Sequence, residues 1–153
     1  MSGKLQREIR QSRPFSSLEE EAVLNILFTA DLVQQDIADV LRPHDLSAVQ
    51  YNALRILRGS GREGAHCKDV GERMVTRDPD ITRLVDRLQK RGLVERTRGA
   101  RDRRFVTVSI TAEGLSLLAS LDGPVQDAAV RRLGHLGQER LSELIELLES
   151  VRT

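Results

Sequence analysis

MVTRDPDITRLVDRLQKRGLVERTRGARDRRFVTVSIT, residues 74–111, sets the reading of the whole chain. Asp78 is a good N-cap, and Pro79 suits the first helical position, where a missing N–H costs nothing. From there Ile81, Leu84, Val85 and Leu88 fall on one side of a helical wheel turned by about 100° per residue. Arg83, Asp86, Arg87 and Lys90 fall on the opposite side, with Thr82 at the flank. Gly92 ends that helix. Residues 93–98 and 104–110 then alternate as two strands around a turn at Gly99 to Arg103.

A helix fits the major groove of DNA, and arginine can donate two bonds to guanine or clamp a phosphate. The exposed face of the helix therefore has reading chemistry. Its other reading is a solvated face on which Asp86 pairs with Arg83 or Lys90. The hairpin shifts the balance, because Arg98, Arg101 and Arg103 at its tip suit the enhanced negative potential of a narrow minor groove. A basic helix joined to a basic two-stranded ribbon has the form of a winged helix-turn-helix.

Charge along the chain supports this division. The formal net charge is only +1, yet between Arg77 and Arg104 ten bases face five acids. From Leu18 to Gln50 seven acids face Arg42 alone. The centre thus suits a polyanion and the N-terminal part something else. With 153 residues, 39% hydrophobic and 31% charged, the chain suits one globular domain with an ordinary core. Cys67 is the single cysteine, so no intrachain disulfide can form, and a reducing cytoplasm is the natural setting. The first fourteen residues lack the apolar core of a signal peptide, and no apolar run is long enough to span a bilayer.

Outward from the centre, residues 1–16 read as a mobile basic tail, with a phosphate-touching or partner-crossing arm as the alternative. A capping box at Ser17 and Glu20 opens a long amphipathic helix that Pro43 stops. A second box, Ser47 with Gln50, opens a helix ending near Gly59 and Gly61. Lys68 to Met74 forms a compact helix. Thr111 caps another, which Asp122-Gly123-Pro124 should break or kink. Glu139 to Arg152 forms the last, with Leu141, Leu144, Ile145, Leu148 and Val151 as its stripe. This stripe and the first long helix carry more apolar face than a small central fold covers, which points to a dimer interface.

At these residues the chain resembles the MarR family of winged-helix transcriptional regulators. The marks are Leu46 to Tyr51, Thr82 to Leu88 with Arg91-Gly92-Leu93-Val94, and Asp102-Arg103-Arg104 followed by Val108, Ile110-Thr111 and Gly114. The resemblance implies a mainly α fold with a single domain over 17–153. Its DNA-binding lobe would cover 46–111, and 17–45 with 112–153 would supply dimerisation helices. It implies a cytoplasmic homodimer on a pseudo-palindromic double-stranded operator, repressing until a small aromatic or phenolic effector releases it. By position, Asp102 and Arg104 match a wing-bracing pair. Arg83, Arg87, Arg101 and Arg103 are the first candidates for DNA contact, followed by Arg98 and by Thr76, Arg77 and Thr82 around the helix start. Phe28, Leu32, His44, Tyr51 and Leu54 could line an effector cleft, or serve as ordinary core and interface. The cap of the last helix departs from the family pattern, with Gly137 in place of Ser or Thr.

No enzyme is expected. His44, His66 and His135 are isolated, His66 and Cys67 are adjacent rather than arranged as base and nucleophile, and no cofactor loop or metal set is present. Cys67 reads as a small packed residue. Two other readings remain: a protein-interaction module with an acidic partner, and a nonspecific architectural DNA-binding protein.

Overall fold

The computed structural model describes residues 3–77 and 80–152. Seven α-helices and one hairpin appear among them: α1 (Lys4–Glu8), α2 (Leu18–Leu41), α3 (Ala48–Ser60), α4 (Cys67–Arg73), α5 (Ile81–Lys90), β1 (Val94–Arg98), β2 (Val106–Ile110), α6 (Ala112–Leu133) and α7 (Gly137–Ser150). Short 3-10 turns cover Arg42–His44, Gly61–Glu63 and Gly134–Leu136. No helix among the described residues is long and apolar enough to cross a membrane. The chain divides into two compact units, Met1–Asp36 and Ile37–Thr153, and the division falls inside α2.

In the first unit the N-terminal segment departs from the expected mobile tail. Lys4–Glu8 is a helix, with Leu5 only 2% exposed and Lys4 paired to Glu8 at 3.5 Å. One buried leucine orders a stretch whose own helical signal is weak, an effect of packing that outweighs propensity. The start of α2 also differs in detail. Ser17 Oγ accepts from the Glu20 amide at 3.1 Å, as expected, but the Glu20 carboxylate accepts from the amide of Ser16 at 2.6 Å and from the Ser16 hydroxyl. Two donors on one residue outcompete the single Ser17 amide. They also hold the Glu20 carboxyl below its ordinary value. Leu18, Val23, Ile26 and Leu27 along α2 are exposed.

The second unit closes around Leu54, Leu57, Val70, Val85, Leu88 and Leu118, all fully buried. Helix α3 enters it through a complete capping box: Ser47 Oγ accepts from the Gln50 amide at 3.2 Å, and Gln50 Oε1 accepts from the Ser47 amide at 3.0 Å. The hairpin pairs Val94 with Ile110, Arg96 with Val108 and Arg98 with Val106, antiparallel. Ala65 adds a further bridge, exchanging bonds of 2.9 and 2.8 Å with Val108. The second strand starts at Val106 rather than Arg104, because the Asp102 carboxylate takes the Arg104 amide out of the ladder at 3.0 Å.

Helix α6 runs unbroken from Ala112 to Leu133 with Pro124 inside it, so the expected break does not occur. Proline deletes one backbone bond, but Leu118 and Leu121 before it and Ala128 after it are buried, and this packing carries the helix across. Asp122, two residues before the proline, receives Arg58 of α3 in a two-pronged pair at 2.9 and 3.1 Å. Helix α7 begins at Gly137 without a side-chain cap and has no buried residue; Ile145, Leu147, Leu148 and Val151 on and just past it are exposed.

Ser47→Ala removes an N-cap acceptor and should cost about 1 kcal/mol in urea unfolding. Arg58 holds the Asp122 carboxyl below its ordinary 3.8. A depressed carboxyl contributes stability above 3.8 and loses it as pH falls through the lower folded value, so acidification from about pH 6 to about pH 3 should lower the melting temperature of the native protein more than that of Asp122→Asn.

Candidate nucleic-acid interface

Helices α4 and α5 form the two limbs of a helix-turn-helix. Their approach depends on Gly71, where a β-carbon would stand 3.0 Å from Ile81 Cγ1. The turn between them is anchored to α3, since the Val75 amide donates to Asn52 Oδ1 at 2.8 Å. Asp80 then caps α5, accepting from the Arg83 amide at 3.0 Å. Asp78 and Pro79, the expected cap and first helical residue, lie outside the described residues; the helix itself starts at Ile81. In Asp-Pro-Asp either acid is chemically able to cap, and Asp80 stands three residues before the amide that needs an acceptor.

Leu84, Val85 and Leu88 are buried and Ile81 half-buried, which leaves Thr82, Arg83, Asp86, Arg87 and Lys90 exposed. At the far end Gly92 adopts φ +72°, a conformation that side chains resist. Its amide donates to Gln89 O at 2.9 Å and that of Leu93 to Leu88 O at 3.1 Å, closing a Schellman motif that turns the chain directly into β1.

Asp86 does not pair with Arg83 or Lys90. Its carboxylate takes Arg96 of β1 at 2.5 Å, and the same guanidinium donates to Gln89 Oε1 at 2.7 Å and to Thr82 O at 3.3 Å. Thr82, Asp86 and Gln89 stand four and three residues apart, so one side chain from the hairpin grips a full stripe of the helix. Arg96 is on the inward side of β1, opposite buried Val108, and is 23% exposed. That position was the available signal: an arginine in register with core residues needs a counter-charge nearby.

The hairpin tip is braced in the same way. Arg104 Nε and Nη2 both donate to the Asp102 carboxylate at 3.1 Å, and the Arg104 amide adds a third bond. These bonds hold the Asp102 carboxyl below its ordinary range. Arg104 itself remains 91% exposed. Phe105 follows it, exposed, with its ring 5.5 Å from that of His66, whose Nδ1 lies 2.9 Å from Val106 O.

Arg83, Arg87, Arg98, Arg101 and Arg103 are exposed, and none takes part in an ion pair among the described residues. Thr76 and Arg77 are exposed on the turn. Arg77 and Thr82 share a hollow of about 530 Å3 with Cys67, Lys68 and Glu72, which brings Lys68 into the same surface. Arg87 and Lys90 line a second hollow of about 590 Å3 with Arg42 and Arg91.

The residues suggested for an effector cleft are distributed differently. Leu54 is fully buried and Tyr51 7% exposed, both in the core of the second unit, where the Tyr51 ring lies 5.9 Å from the Arg55 guanidinium. His44 is exposed on the turn after α2. Phe28 and Leu32 are half-buried on the part of α2 in the first unit.

A profile described as the MarR family matches residues 44–104. The crystal structure of a MarR transcription factor from Planctomyces limnophilus is 44% identical, covering 88% of this chain and 98% of that one, with a TM-score of 0.69. The chain belongs to the MarR family. It is accordingly similar to the homoprotocatechuate degradative operon repressor of Escherichia coli, 27% identical over 72% of this chain and 73% of the repressor. CouR from Rhodococcus jostii, solved with p-coumaroyl-CoA bound, is 26% identical with a TM-score of 0.74, covering 90% of this chain and 95% of CouR. Members of the MarR family are transcription regulators rather than enzymes.

The grip of Arg96 on α5 is measurable. A double-mutant cycle of Arg96→Met and Asp86→Asn, read by urea unfolding, should give a coupling of about 1 kcal/mol. Additive effects of the two substitutions would sink the pairing.

Proposed function

We propose that this MarR-family chain acts as a cytoplasmic homodimer that binds a pseudo-palindromic operator in double-stranded DNA and represses transcription there. Residues 46–111 form the DNA-binding lobe in this reading. One observation carries it: three acids of the basic segment are engaged internally, Asp80 by the helix cap, Asp86 by Arg96 and Asp102 by Arg104, while Arg83, Arg87, Arg101 and Arg103 remain exposed without ion-pair partners among the described residues. Exposed cations separated from their neighbouring acids suit a phosphate backbone and base edges.

In this reading Arg83 and Arg87 enter the major groove from α5, with Thr82 beside them and Thr76, Arg77 and Lys68 touching phosphates at the helix start. Arg98, Arg101 and Arg103 follow the adjacent minor groove, held in shape by Asp102 and Arg104. The exposed apolar residues of α2, α6 and α7 meet a second copy. In the first unit Leu18, Val23, Ile26 and Leu27 recur exposed along α2, and in the second Val130 of α6 and Ile145 of α7 are exposed, apolar surface that a second copy would cover. Repression fits the name of the Escherichia coli relative, and release by a small aromatic or phenolic effector fits the ligand of CouR. Within the second unit His44 retains surface for such a ligand while Leu54 and Tyr51 lie in the core, and within the first unit Phe28 and Leu32 are half-buried.

The test is equilibrium DNA binding on fragments selected from the source genome. Arg83→Ala should cost about 1–3 kcal/mol on the selected site and much less on random DNA, because it removes a base contact. Arg103→Ala should weaken both and reduce the slope of log affinity against log salt by about 1. Unchanged affinity in both variants would sink the contact assignment.

A further inference from the structure

The recognition helix also reaches backward. Arg91, the C-cap residue of α5, donates from Nη1 to Asp45 O at 2.5 Å and from Nη2 to His44 O at 2.8 Å. Those two carbonyls belong to the turn that ends α2 and leads into α3. The turn is tight: Asp45 holds φ +50°, in the left-handed region, its amide donates to Arg42 O at 3.0 Å, and buried Leu41 and Leu46 flank it. Carbonyls at a helix end lack intrahelical partners and carry the negative end of the helix dipole, so a guanidinium is a well-matched cap. Here the cap comes from another helix, 46 and 47 residues further along the chain.

We infer that Arg91 is a positioning residue, which fixes the recognition helix to the end of α2 and thereby sets the half-site spacing that the dimer accepts. The inference rests on the operator-binding reading above and adds a role for a residue outside the contact face. Helix α5 is otherwise held along its length by Arg96 and underneath by Leu84, Val85 and Leu88. Apolar packing is non-directional and leaves a short helix able to pivot about its seam. Two parallel bonds from a planar fork to adjacent carbonyls remove that freedom at the C-terminal end. The turn leads into α3, which Arg58 pins to Asp122 of α6, and α6 carries exposed apolar residues assigned to the second copy, so within the second unit the bond ties the reading element to a helix that positions the other half of the dimer. One extra base pair moves a half-site by about 3.4 Å and roughly a tenth of a turn, a displacement a pivoting helix follows and a fixed one does not.

The experiment measures affinity for the selected operator and for versions with the half-sites moved apart or together by one and two base pairs. The native protein should show a sharp optimum. Arg91→Met should lose about tenfold at that optimum and little at the altered spacings, flattening the profile, as expected when charge-assisted bonds to carbonyls are lost. Arg91→Lys should flatten it as well, with an unchanged salt slope, since an ammonium keeps the charge but not the planar fork. Parallel profiles for the native protein and both variants would overturn the inference, as would an equal loss at every spacing in Arg91→Met with native behaviour in Arg91→Lys, the pattern of a plain phosphate contact. Loss at every spacing in both variants, with a lowered melting temperature, would overturn it too, assigning Arg91 to stability alone. A native protein that selects no DNA would remove the operator reading and this inference together; a native optimum that survives in the variants removes the inference only.

Discussion

An arginine on the inward side of a strand must find a counter-charge, and Arg96 finds it on the neighbouring helix. Its guanidinium meets the Asp86 carboxylate, the Gln89 amide oxygen and the Thr82 carbonyl, and so joins β1 to three successive turns of α5. The bond has two consequences. It makes the hairpin and the helix one body, and it withdraws Asp86 from the arginines on either side of it. Had Asp86 paired with Arg83 or Lys90, the exposed face would have lost much of its field, since an acid one turn away competes with any anionic ligand for the same cation.

Where residues speak to near neighbours, the sequence is explicit. The Ser47 and Gln50 box forms with both halves made, the inward side of α5 is the one its spacing requires, and Asp102 and Arg104 meet two residues apart. Where the deciding partner is distant, the sequence is silent or misleading. Leu5 orders a segment that composition marks as a tail; buried Leu118, Leu121 and Ala128 carry α6 past a proline; and Arg91 takes carbonyls whose identity no side chain reports. Leu54 and Tyr51 illustrate the same limit, because an apolar helical position near an expected cleft and one in the core have the same periodicity. Arg96 lies between these cases, being detectable as a charged residue in register with Val94 and Val108 though its partners are not.

The three internally engaged arginines of the basic segment differ from the exposed ones in placement rather than chemistry. Arg91, Arg96 and Arg104 each reach an acceptor fixed by backbone geometry: turn carbonyls, a helix stripe and a carboxylate two residues away. Arg83, Arg87, Arg101 and Arg103 stand where no such acceptor is within reach among the described residues. A run of ten bases over 28 positions thus separates into fasteners and contacts, and a simple charge count cannot tell them apart.

This separation bears on binding energy. A reading element that is loose before it meets DNA must be ordered on binding, and each immobilised long side chain costs about 0.5–1.5 kcal/mol of affinity. Fastening α5 from the hairpin side through Arg96 and from the α2 side through Arg91 incurs that cost during folding instead. The two fasteners also act on different coordinates. Arg96 holds α5 to the hairpin that is proposed to reach the minor groove, so it governs how one lobe fits its own half-site. Arg91 holds α5 to the turn that leads into α3, and α3 is pinned to α6, so it governs how α5 is placed relative to a helix of the same unit proposed to meet the second copy. A MarR-type regulator needs both, since specificity within a half-site and specificity for the distance between half-sites are independent demands on a single short helix.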